Sequence, residues 1–174
     1  IGTGEFRETR NFRYITTETF RNLRCHEILV GDVLIARMPD PVGRAWCVRE
    51  LLEPAITSVD VAIARVNQSV VDPGFIAAYL NSPFNLAFAE QQSSGTTRAR
   101  ITRRDLLNYP VPIPPLKEQQ QIAEVLQTFD DLIKNNRKRI ELLEETARLL
   151  YREWFVNFRY PGHEDVPLVD SELG

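Results

Sequence analysis

The chain has 174 residues, 43% of them hydrophobic and 26% charged, the make-up of a globular protein with room for one domain and an appendage. No apolar run approaches the roughly 20 residues that span a bilayer, and no basic-then-apolar leader pattern opens the chain, so membrane and secreted readings are set aside and a cytoplasmic protein is expected. The formal net charge of −3 is uneven: before Leu116 stand 13 Arg, no Lys and 12 acids, and from Leu116 onward 8 basic residues face 12 acids.

Residues 1–115 read as mixed α and β. The stretch Leu29-Val30-Gly31-Asp32-Val33-Leu34-Ile35-Ala36-Arg37 predicts a strand entered through a Gly-Asp turn. Further strands are expected over 45–48 and 55–66, the second with alternation on a weakly polar face. Pro73 opens a short helix to about Leu80, with Phe75, Ile76, Tyr79 and Leu80 on its apolar face, and a second helix follows over 83–91. A polar, hydroxyl-rich loop is expected over 93–97 and a turn over 105–108. Tyr109-Pro110-Val111-Pro112-Ile113-Pro114-Pro115 then forms a stiff extended connector.

From Leu116 the pattern changes. Ile122, Leu126, Phe129, Ile133, Asn136, Ile140, Leu143, Ala147, Leu150 and Trp154 alternate spacings of four and three with no Gly or Pro between them, a heptad seam. About 43 such residues make a rod of roughly 65 Å at about 1.5 Å each, which requires a partner helix along its stripe. Asn136, the polar seam residue, either fixes register or sits at a solvated point. The helix is expected to span 116–160 and to leave an acidic tail over 161–174.

Marks of catalysis are sparse. No phosphate-binding glycine loop is present, and the two cysteines, Cys25 and Cys47, have no companions at metal-ligand spacing. His26 and His163 are isolated, so no catalytic or metal residue is expected. Asn81-Ser82-Pro83-Phe84 resembles the amine-holding tetrapeptide of amino-methyltransferases, but serine replaces its proline and a helix cap explains the segment without further chemistry. Thr96, Thr97, Arg98, Arg100, Arg103 and Arg104 carry the chemistry that remains. Hydroxyls position on phosphates while arginine forks neutralise phosphates or read base edges. The single sign of this cluster, in a balanced domain, favours DNA over a merely solvated charge run. A weaker cluster, Arg7, Arg10, Arg13, Arg21 and Arg24, is diluted by nearby acids.

Three segments together resemble one family: the Leu29-to-Arg37 strand, Ser94-Gly95-Thr96-Thr97-Arg98-Ala99-Arg100-Ile101, and Val111-Pro112-Ile113-Pro114-Pro115-Leu116-Lys117-Glu118-Gln119-Gln120-Gln121-Ile122-Ala123. Their order is similar to that in specificity (S) subunits of type I restriction-modification enzymes, a bacterial defence system. The Pro-Pro-Leu-x-Glu-Gln-x-x-Ile-Ala element is the most specific of the three. The resemblance implies an α+β fold, with a target-recognition domain over 1–115 followed by a coiled-coil spacer helix. It implies a non-catalytic subunit that reads half of a bipartite duplex site and docks methyltransferase (M) subunits, and through them the restriction (R) subunit. The helix would pair with a second S half or with a homodimer mate. S-adenosylmethionine and Mg²⁺ would bind other chains, so no cofactor is expected. Ile1-Gly2-Thr3-Gly4 reads as an opening in mid-domain, which implies a recognition domain short at its front. The rival reading is an adaptor that dimerises through its helix and binds protein with its front domain; a third is the recognition region of a fused restriction–methylation enzyme.

Overall fold

Strand β1 (Val33–Ala36) is buried along its whole length because both of its faces are covered. Val33 and Ile35 point into one apolar cluster, with Phe75, Ile76, Ala77 and Leu80, while Leu34 points into a second, with Ile28 and Val48. That explains the unbroken apolar run where a half-solvated strand would alternate. The computed structural model describes residues 13–39, 41–93 and 100–166. It divides into two units, Ile1–Thr128 and Phe129–Gly174, each treated by itself.

In the first unit β1 is the middle strand of a three-stranded antiparallel sheet, flanked by β2 (Ala45–Cys47) and β3 (Val61–Ala64). Leu34 lies opposite Trp46 on one side and Ile63 on the other. The strand expected over 55–66 is therefore shorter: 56 forms an isolated bridge with Glu27, and a turn at 58–60 precedes β3. The alternation is informative all the same, since Ala62 and Ala64 pack on the helix side and Val61 and Ile63 on the other.

The Gly-Asp turn before β1 has a specific construction. Gly31 is left-handed at φ 91°, and an added Cβ would sit 2.3 Å from the Gln68 amide. Asp32, only 1% exposed, accepts from the Leu29 amide at 2.8 Å and from Arg65 through both oxygens, at 2.7 and 2.8 Å. Two-point pairing with a planar guanidinium offsets the cost of burying the carboxylate.

Helices α1 (Thr17–Asn22), α2 (Pro73–Leu80), α3 (Pro83–Gln92), α4 (Arg103–Leu107) and α5 (Leu116–Tyr151) complete the fold. The capping residues set the starts of α2 and α3: Asp72 accepts from the Phe75 amide and Ser82 from the Asn85 amide, each with Pro at the next position. The expected turn at 105–108 is instead the end of α4, whose start Thr102 and Asp105 secure with a reciprocal capping box.

The proline-rich connector is pinned at both ends. Tyr109 donates its hydroxyl to the Asn85 carbonyl at 2.7 Å and stacks edge-on to Phe88; burial pushes its pKa up to about 12. At the far end Gln119, fully buried, accepts from the Asp72 amide at 2.9 Å and donates to the carbonyls of Val70 at 3.1 Å and Pro114 at 2.7 Å. Ala123, one turn on, packs in the sheet–helix cluster.

In the second unit α5 runs on to Tyr151 with its side chains exposed, so the expected helix over 116–160 ends earlier as α-helix. A π turn spans Arg152–Val156, and the Asn157 amide reaches back five residues to the Arg152 carbonyl at 2.8 Å. Phe158, at φ 55°, then turns the backbone out of helix. Among the described residues no helix is long and apolar enough to cross a membrane.

Two outcomes follow from these contacts. Gln119→Ala leaves three backbone groups without their partner and is expected to cost about 2–4 kcal/mol in urea unfolding; a loss within error of zero would mean water replaces the amide. The pKa of Asp32 is held below its ordinary value, chiefly by the hydrogen bonds from Arg65. A lowered carboxylate pKa contributes stability in full above roughly pH 4, lost as pH falls through the folded-state value. Unfolding midpoints across pH 2–6 are expected to fall on the acid side for the native protein, and less steeply for Asp32→Asn.

Candidate nucleic-acid interface

Several charged side chains meet at the end of β1. Arg37 follows directly on the strand, and its amide donates to the Asp60 carbonyl at 2.8 Å while its carbonyl accepts from the Ile101 amide at 3.1 Å. The side chain repeats both links: Nε donates to the Ile101 carbonyl at 3.1 Å and Nη1 to the Val59 carbonyl at 3.2 Å. Arg37 thus ties together three stretches far apart in sequence. Its pKa is lowered, first by burial and then by the neighbouring charges of Arg100 and Arg103.

Arg100 approaches the same turn from the other side. Its Nη2 donates to the Val59 carbonyl at 2.7 Å and pairs with Asp60 Oδ1 at 3.1 Å. Its Nε is buried and has no partner among the described residues. Arg103 and Arg104 are the first two residues of α4, both exposed. Arg44, across the β1–β2 connection, donates through Nη1 to the carbonyls of Met38 and Pro41 at 3.1 and 2.8 Å.

This charged end rests on a small apolar base of Val42, Ala89 and Ile101, against which Leu106 and Tyr109 pack. Gly43 permits the base, because its φ is 84° and an added Cβ would lie 2.7 Å from the Ala89 Cβ.

Of the six residues expected to meet DNA, Arg100 and Arg103 are brought together; Arg104 follows them, and Thr96, Thr97 and Arg98 lie outside the described residues. Arg37 and Asp60 were not expected here, although Arg37 closes the quoted strand motif. Of the weaker cluster, Arg13, Arg21 and Arg24 are exposed around α1, and Arg7 and Arg10 lie outside the described residues. Asn81-Ser82-Pro83 is a cap. Asn81 also accepts from the Ala45 amide and donates to the Ala45 carbonyl, both at 2.8 Å, fastening α2 to β2. His163 Nδ1 lies 2.9 Å from the Tyr160 carbonyl.

The seam residues of α5, apart from Ala147, are all large or polar and all stand exposed, from Ile122 and Leu126 at 43% to Leu143 at 68%, with Trp154 displaced into the π turn.

Comparisons with known proteins place the chain in a family. The family model described as type I restriction modification DNA specificity domain matches residues 3–145. The MjaIX specificity subunit of the type I restriction enzyme of Methanocaldococcus jannaschii is 36% identical over 89 residues, 49% of this chain and 21% of that protein. The HindI specificity subunit of Haemophilus influenzae is 27% identical over 130 residues, 74% of this chain and 28% of its own length. A solved chain, from work on complex assembly and conformational transition of the type I R-M system, aligns at TM-score 0.52 and 25% identity over 82% of this chain and 36% of that chain. The chain therefore spans 21% to 28% of the two curated relatives.

Proposed function

Because the chain belongs to the type I restriction modification DNA specificity domain family, we propose that it reads one half of a bipartite duplex site and carries the helix that assembles the surrounding enzyme. Residues 1–115 form the reading domain, 116–160 the spacer and docking helix, and 161–174 an acidic tail. The observation that supports DNA reading is the gathering of Arg100, Arg103 and Asp60 around Arg37, with Arg100 paired to Asp60.

Thr96, Thr97, Arg98, Arg103 and Arg104 hold the duplex backbone, and Arg100 lies among them. The chain performs no chemistry of its own: methyl transfer and cleavage fall to M and R subunits, which bind S-adenosylmethionine and Mg²⁺. The protein works in the cytoplasm, where its DNA is. The exposed seam takes a second specificity helix, from the same polypeptide or from a homodimer mate. Leu142, Leu149 and Phe155, exposed off the seam, favour a further protein surface for the M subunits.

Two measurements test the two halves. In the full chain with its methyltransferase, Arg98→Ala, Arg103→Ala and Arg104→Ala together are expected to flatten the salt dependence of duplex binding, by about 0.9 in log–log slope for every phosphate these arginines neutralise. An unchanged slope would remove this end of the domain from the interface. Ile133→Asp with Ile140→Asp is expected to abolish helix pairing in sedimentation; an assembly of unaltered mass would mean that the seam is not the pairing surface.

A further inference from the structure

Arg100 is the arginine of this cluster that an acid holds from within the domain, and that sets it apart from its neighbours. Arg37 spends its guanidinium on two carbonyls and is a structural tie. Arg103 and Arg104 project from α4 as exposed charges. The guanidinium of Arg100 is fixed by the Val59 carbonyl and the Asp60 carboxylate through a single nitrogen, Nη2, which leaves both hydrogens of Nη1 without a partner among the described residues. Its side chain is still 39% exposed, and that of Asp60 41%.

An arginine that neutralises phosphate needs charge and reach; an adjacent carboxylate weakens it by cancelling the charge and repelling the phosphate. An arginine that reads a base needs a fixed fork, and an adjacent carboxylate improves it by removing rotamer freedom. The Asp60 contact therefore disfavours one role and favours the other. The fixing is deep-seated. Asp60 precedes β3 by one residue, its carbonyl accepts from the Arg37 amide, and the Arg100–Ile101 backbone is tied to Arg37 in turn.

We propose that Asp60 is a positioning residue that holds Arg100 as a base-edge reader within the interface, and so sets part of the sequence specificity without touching DNA. The inference rests on the DNA-reading function proposed above and assigns Arg100 a role within it that the other arginines do not share. With Nη2 committed and Nε buried, Nη1 is the nitrogen left to donate, and its two held hydrogens fit a base edge that offers two acceptors, as guanine's major-groove edge does.

The test compares binding of the full chain with its methyltransferase to its mapped methylation site and to a duplex of scrambled sequence, over a range of salt. Asp60→Asn is expected to lower the ratio of specific to scrambled affinity on the order of tenfold while scrambled binding stays level or tightens. Arg100→Lys, which keeps the charge and loses the planar donor that Asp60 and the Val59 carbonyl hold in place, is expected to lower the ratio similarly with its salt slope intact. Asp60→Asn added to Arg100→Ala is expected to lower the ratio no further. Equal tightening on both duplexes in Asp60→Asn, or an unchanged ratio in Arg100→Lys, would make Arg100 a backbone contact and overturn the proposal. Should Asp60→Asn fail to fold, Arg100→Lys decides alone. Salt-independent binding by the native protein would sink the DNA-reading function itself, a different result from either.

Discussion

The buried amide of Gln119 satisfies three backbone groups at once. Its carbonyl takes the amide of Asp72, the residue that caps α2, and its nitrogen serves the carbonyls of Val70 and Pro114. One side chain thus fastens the start of α5 to the proline connector and to the loop before α2. A glutamate there would set a carboxylate oxygen against two carbonyls. Because α2 packs against β1, fixing its cap also fixes the first two turns of α5, through Ala123, against the sheet–helix cluster. The Pro-Pro-Leu-Lys-Glu-Gln sequence is legible as mechanics: prolines deny the connector any other shape, and the glutamine locks it.

Charge is distributed to match. The front domain carries its basic charge on arginines alone, and the described ones near β1 are mostly tethered to carbonyls or to Asp60. Tethered guanidiniums lose less entropy on meeting a ligand than free lysines do, so selectivity gains at the expense of general stickiness. A domain of near-zero net charge with a local concentration of fixed cations suits a reader better than a non-specific binder.

Much of this was legible in the sequence where the signal was local. The Gly-Asp turn, the Pro-led starts of α2 and α3, and the heptad seam all announce themselves within ten residues. The six-residue α1 buries nothing and leaves no apolar period to read. The capping box of α4 was present as Thr102-Arg103-Arg104-Asp105, but the arginine run reads more loudly as charge than as helix. Arg37 and Asp60 were out of reach because their bonds span long separations, 64 residues for Arg37 to Ile101. No periodicity connects such partners; only packing does.

The exposed helix raises the last question, how many surfaces cover it. Helices in proteins draw most of their stability from packing an apolar face, and the side chains of α5 from Phe129 to Tyr151 stand exposed. One partner helix covers a stripe of about 100°. Leu142 and Leu149 each lie two positions beyond one seam residue, Ile140 and Ala147, and one before the next, Leu143 and Leu150, which puts them roughly 130° from the middle of the stripe. A helix seated on the seam therefore leaves both leucines in solvent, at 59% and 42% exposure as they stand. Two separated apolar faces on one rod require two different covers, which argues that α5 is a joint between several bodies and not merely half of a pair.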